Sequence, residues 1–215
     1  MFLVAEKRIM LKNENNEVKV SGIVKGNFEF SHEVCGEKFY RGHIQANRAS
    51  GFVDEVPILI SERIINVNDS WNGERVRVSG QFRSYNQHID DKAKVVLNVF
   101  VEEIEEIEEM AADENEIELI GFVCKAPTYR KTPLGREISD LLIAVNRPYG
   151  RSDYIPCVAW GRNARYTHSF ELGKKIHISG RVQSREYTKK LNENESEIRT
   201  AYEVSIGMLE VIEED

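Results

Sequence analysis

The sequence is poor in the residues that build most active sites and extracellular scaffolds. It holds only 3 cysteines, Cys35, Cys124 and Cys157, with no Cys-x-x-Cys pair. An odd number without paired spacing argues against a disulfide framework and fits a reducing compartment. The 5 histidines, His32, His43, His88, His168 and His177, share no ligand spacing with those thiols, so no metal site is expected. No run approaches the roughly 18 apolar residues that cross a bilayer. Residues 1–4 are apolar, but Glu6 follows too soon for a signal-peptide core. No Ser-His-Asp or Cys-His arrangement, paired-carboxylate motif or phosphate-cradling glycine loop stands out, and Gly150-Arg151-Ser152-Asp153 reads as a turn. These absences point to a soluble cytoplasmic chain, not an enzyme, with no cofactor and no membrane partner.

What is present is a repeat. Asn16-Glu17-Val18 returns as Asn115-Glu116-Ile117, Gly22 as Gly121 and Gly36 as Gly135, at an offset of 99. Asn47-Arg48 returns as Asn146-Arg147, and Asp54 and Pro57 as Asp153 and Pro156, at the same offset. One inserted residue then moves the offset to 100: Gly73 matches Gly173, Ser79-Gly80 matches Ser179-Gly180, and Ser84 matches Ser184. So many glycine, proline and asparagine matches with one insertion mark a duplicated module. The copies divide the 215 residues into 1–112 and 113–215.

Within each copy the period is two. Val18 and Val20, like Ile117 and Leu119, alternate with polar residues, the pattern of half-buried strands. Glycines at matching places in these strands suggest bulges or tight bends that let a small sheet curl. Copy two divides into strands at 116–125, 137–147, 154–160, 174–188 and 197–212, with a helical stretch at 161–172. Five strands with one helix between the third and fourth is the layout of an OB-fold, a five-stranded Greek-key barrel. The fold expected is all-β, two such barrels in tandem, each with its short helix. Residues 102–112 have helical propensity, yet they match the end of copy two, which makes them a strand exit.

The copies differ in charge and in rings. The whole chain carries 29 basic and 36 acidic residues, a net of −7. Between Gly121 and Lys190, however, 14 basic residues face 5 acidic ones, a net of +9. The matching span of copy one, Gly22 to Asp90, has 8 against 9, a net of −1. A local excess of that size on one barrel is the footprint expected for a polyanion. Copy two also carries Tyr129, Tyr149, Tyr154, Trp160, Tyr166 and Tyr187. Where it has Tyr154, Trp160 and Tyr187, copy one has Glu55, Ser61 and Gln87. Core aromatics would persist as apolar residues, so these three rings are expected to face outward. Outward rings among Arg and Lys suit single-stranded nucleic acid, whose bases stack while its phosphates follow the basic groove.

Copy two resembles the bacterial single-stranded DNA-binding proteins. The likeness rests on 116–123 with Pro127 and Arg130, the Gly135 turn, 143–147, and Asp153-Tyr154-Ile155-Pro156-Cys157-Val158-Ala159-Trp160-Gly161. It continues through Leu172-Gly173-Lys174 and 176–187. The resemblance implies a stacking role for Tyr154, Trp160 and Tyr187, to which Tyr129 and Tyr149 are added as further candidates. Arg130, Lys131, Arg147, Arg151, Arg162, Arg185 and Lys189 are the phosphate candidates. The family commonly assembles four barrels from single-barrel chains, so two per chain implies a homodimer. The acidic recruitment tip of the family is not expected here, where the chain stops at Asp215 soon after the last strand. Copy one, without the rings, is expected to serve assembly. Binding of single-stranded RNA, an accessory role in replication restart and a pure protein scaffold stand as alternatives.

Overall fold

Alternating apolar residues press one side of each strand into a core, and this pattern governs nearly the whole chain. The computed structural model describes residues 15–89, 92–190, 192 and 195–213. The expectations for residues 1–4 and for 214–215 lie outside that set. Copy one forms β1 (Asn16–Val34), β2 (Glu37–Asn47), β3 (Val53–Ser61), β4 (Arg75–Ile89) and β5 (Lys92–Glu106). Copy two forms β6 (Asn115–Lys131), β7 (Glu137–Arg147), β8 (Arg151–Trp160), α1 (Arg162–Thr167), β9 (Lys175–Lys190) and β10 (Ser196–Val211). In copy one, β1 pairs with both β2 and β4, β3 runs parallel to β5, and the ring closes. Copy two repeats this with β6 between β7 and β9 and with β8 parallel to β10. The protein is thus two tandem OB-folds.

Repeat-related positions fill the two cores. Val18, Val20, Val76, Val78, Ile58 and Val99 are buried in the first barrel. Ile117, Leu119, Ile176, Ile178, Cys157 and Val204 take the same places in the second. The glycines act as expected: a Cβ on Gly80 would lie 2.1 Å from the Phe100 carbonyl oxygen, and one on Gly180 would lie 2.2 Å from that of Ser205. Register shifts fall beside both, between Ser79 and Gly80 and between Ile206 and Met208, where the strands bend to close the barrels.

One local expectation changes and another holds. The first barrel has no helix between its third and fourth strands; residues 62–74 form a series of turns. Asn66 directs them: its Oδ1 accepts from the Asn68 backbone N–H at 3.2 Å, and its carbonyl accepts from the Trp71 indole at 3.0 Å. Such side-chain bonds compete with a helical ladder. Ile65 is buried there, while Ala164 of α1 and Phe170 are buried at the corresponding end of the second barrel. Residues 102–106 end β5 as the expected strand exit, with Glu105 opposite Arg77 and ion-paired to it at 2.7 Å.

The barrels join through β1 and β6, which pair antiparallel with Val18 opposite Ile117. These two residues are repeat mates, so the junction is isologous, as in a two-fold dimer. Its hydrogen bonds repeat accordingly: Ser21 N–H donates to Glu114 O at 2.8 Å and Ile120 N–H to Asn15 O at 2.9 Å. A second pair of contacts is reciprocal as well. Asp153, fully buried, accepts from the Ser84 backbone N–H at 2.5 Å, and Ser84 Oγ accepts from the Tyr154 N–H at 2.8 Å. From the other side, buried Asp54 accepts from the Ser184 N–H at 2.9 Å, and Ser184 Oγ accepts from the Glu55 N–H at 3.1 Å. Arg48 pairs with Asp54 and Arg147 with Asp153, each within its own barrel. The repeated Arg, Asp and Ser of the sequence are therefore the fastening between barrels.

The close approach at Gly180 gives a stability expectation. Gly180→Ala should cost about 1–3 kcal/mol through overpacking against the Ser205 carbonyl. Gly207→Ala, whose Cβ would find its nearest neighbour at an ordinary 3.4 Å, should stay within about 0.5 kcal/mol in urea unfolding.

Candidate nucleic-acid interface

The same alternation that buries Asp153 and Ile155 on β8 turns Tyr154 outward, where it is 50% exposed. Trp160 ends that strand 38% exposed, and Tyr187 on β9 is 39% exposed. Tyr154 and Tyr187 line one groove of about 730 Å³. It straddles the pseudo-two-fold axis, since Pro57 and its repeat mate Pro156 both line it, as do Gln87 and its repeat mate Tyr187. Trp160 stands in the neighbouring cleft of about 940 Å³ with Arg136, Arg181 and Arg185. Thr200 lines both hollows. The first barrel lends the larger cleft Phe52 and Lys25.

Two further ring candidates lie elsewhere. The Tyr129 hydroxyl donates to Glu137 Oε1 at 2.7 Å, its ring lies 5.4 Å from that of His168, and it lines neither hollow. That hydrogen bond holds the Glu137 carboxyl below the usual carboxylate range. Tyr149 is fully exposed at the tip of a turn, with φ +65°, and also lines neither hollow.

The phosphate candidates divide three ways. Lys131, Arg151, Arg162 and Lys189 are exposed and have no ion pair among the described residues. Arg130 pairs with Asp140 at 2.8 Å and Arg185 with Glu203 at 3.1 Å. Both arginine side chains are about half exposed. The Arg130–Asp140 pair is open on both sides and weak enough to exchange for a phosphate. Glu203, by contrast, is buried and, if Arg185 turned to a phosphate, would keep among the described residues only its bond from the Gln183 amide at 2.9 Å. The Arg185 guanidinium also lies 5.8 Å from the Tyr187 ring centre. Arg147 is committed differently. Its Nη2 donates to the Ser84 carbonyl at 2.9 Å and pairs with Asp153, whose side chain is fully buried. Releasing it would strand a buried carboxylate, so Arg147 belongs to the barrel fastening rather than to a phosphate contact.

Sequence reading passed over Arg136, Arg181 and Phe52. The first two are part of the second barrel's excess of basic residues, and Phe52 lies just before β3. Arg181 has no carboxylate partner, and its Nε lacks a hydrogen-bond partner among the described residues. Burial, then the neighbouring Arg48, lowers its pKa from the ordinary value. A serine at position 61 does not by itself mark an outward site in the sister barrel. Ser61 is itself buried, and the first barrel carries its aromatic on the fifth strand instead. Phe100 lies opposite Leu59 there as Ser205 lies opposite Val158 in the second barrel, where the Trp160 indole donates to Ser205 Oγ at 3.1 Å. Ring and serine have exchanged strands.

The model of the single-strand binding protein family matches residues 114–210. The single-stranded DNA-binding protein of Clostridium tetani is 37% identical over 83 residues, covering 35% of this chain and 57% of that protein. Single-stranded DNA-binding protein B of Bacillus subtilis is 31% identical over 80 residues, 34% of this chain and 71% of that one. The chain spans about half the length of most of the curated relatives it matches. The crystal structure of the single-stranded DNA binding protein from Thermus aquaticus superposes with a TM-score of 0.71 at 20% identity. That match covers 93% of this chain and 94% of the other, and so extends the shared fold across both barrels.

The division of the arginines can be measured. Arg147→Ala should destabilise the protein by about 3–5 kcal/mol in urea unfolding, because Asp153 stays buried without its cation. Arg151→Ala should stay within about 0.5 kcal/mol.

Proposed function

As this chain belongs to the single-strand binding protein family, we propose that its second barrel binds single-stranded DNA with little sequence preference, serving replication, recombination or repair. One observation carries the reading: Tyr154 and Tyr187, from the barrel with the net +9 span, share an exposed groove at the axis between the barrels, beside the cleft where Trp160 stands with Arg48, Arg136, Arg181 and Arg185. Every base has a face to lay on a ring, at about 1–3 kcal/mol each, so stacking on Tyr154, Trp160 and Tyr187 is indifferent to sequence. Arg185 and Lys189 on β9, with Arg151, Arg162, Lys131 and Arg130 around the barrel, take phosphates. Tyr129 and Tyr149 are outlying stacking positions on the path of a longer strand.

The role is binding without catalysis, in the cytoplasm. Two barrels per chain support a homodimer that presents four. The β1–β6 junction already supplies one isologous pairing within the chain, so a second chain pairs through a different face.

Trp160 reports binding directly once the other tryptophan, Trp71, is changed to Phe. Oligo-dT should quench its fluorescence at low salt, with affinity falling by about 0.7 log unit per log unit of salt for each phosphate contact. Absence of quenching at low salt, or affinity indifferent to salt, would overturn the reading. Tyr154→Ala should weaken binding about tenfold, the equivalent of one lost stack.

A further inference from the structure

The first barrel has lost the three ring positions of its sister, yet it is not blank. Its outer face carries a hollow of about 680 Å³. Inside it the Arg83 guanidinium lies 3.9 Å from the centre of the Phe100 ring. Phe39 stands 5.9 Å from Phe100, and His32 stacks on Phe39 at 5.2 Å with planes 13° apart. The exchange that moved an aromatic from the third strand to the fifth thus left the barrel with a ring surface of its own.

The charges in this hollow favour an anion. Among the described residues, Arg83 bonds only the neutral Gln81 side chain, at 2.9 and 3.2 Å. Arg41 and Arg151 have no ion-pair partner among the described residues. Arg151 comes from the second barrel, so the hollow is built by both. The acid on its wall, Glu37, is engaged by Arg63 at 3.2 Å and by the Ser61 hydroxyl at 2.5 Å. Rings for bases and uncompensated guanidiniums for phosphates are the two requirements of single-stranded nucleic acid.

The hollow is also continuous with the groove described above. Arg41, Tyr85, Gln87 and Asn98 line both it and the axial groove that holds Tyr154 and Tyr187. Through Thr200 that groove meets the Trp160 cleft. The three hollows form one trail across the pseudo-two-fold axis.

We infer that the strand stacked on Tyr154 and Tyr187 continues over the axis onto the first barrel, where a base lies against Phe100 and Phe39 and Arg41, Arg83 and Arg151 take phosphates. This rests on the binding proposed for the second barrel and extends it to residues at none of the stacking positions that the resemblance implies. The first barrel then lengthens the footprint as well as fastening the assembly.

The test compares dT10 with dT30 for the full chain, for Arg41→Gln and for Phe100→Leu, with Tyr154→Ala as reference. Arg41 is exposed, so its variant should fold normally. It should bind dT30 with a salt slope shallower by about 0.7, one phosphate contact, and keep the wild-type affinity for dT10 within about twofold. Phe100→Leu keeps the volume but removes the ring face, and should cost about tenfold on dT30 alone. Tyr154→Ala should weaken both oligonucleotides. If Arg41→Gln and Phe100→Leu bind dT30 as the wild type does while Tyr154→Ala does not, the extension is wrong and the second-barrel site stands. If the wild type binds neither oligonucleotide, the underlying reading fails as well.

Discussion

The structure depends on the antiparallel pairing of β1 with β6, in which Val18 meets its own repeat mate Ile117. A duplicated module whose first strand pairs with its copy acquires a two-fold relation without a second chain. Everything repeated near that axis then meets its counterpart across it. The buried Arg48–Asp54 and Arg147–Asp153 pairs and their serines follow from this. Each aspartate is fully buried, so its charge needs the arginine beside it and the backbone N–H from the opposite barrel.

That constraint explains which residues diverged. The fastening is reciprocal, so a change on one side breaks a contact of the other, and Asn, Arg, Asp and Ser persist in both copies. The outer faces carry no such reciprocity and could drift apart. The second barrel accumulated basic residues and outward rings on β8 and β9. The first moved its ring to β5 and kept only a few free arginines. Because Ser84 bonds the backbone N–H of Tyr154, the fastening also sets where a ring of the groove stands.

Much of this was legible from the chain. The repeat, the period of two and the matched glycines gave two barrels and the positions of most strands, because those signals are local. The outward rings at Tyr154, Trp160 and Tyr187 were legible too. Other features were not, because they depend on partners distant in sequence. Arg147 looks like any surface arginine until Asp153 and Ser84 are brought beside it. Phe100 escaped notice because the fifth strand follows a second shift in the repeat, beyond the offset of 100. The helix expected between the third and fourth strands of the first barrel was carried over from its sister by the repeat, and there the bonds of Ser61 and Asn66 make turns instead.

The central claim is that single-stranded DNA lies along the groove at the axis between the barrels. Photocrosslinking oligo-dT to the full chain and mapping the modified residues tests it most directly. The account expects crosslinks at Tyr154 and Tyr187, with Trp160 on one side and Phe100 on the other. Crosslinks confined to Tyr129 and Tyr149, with none at the axial groove, would contradict it.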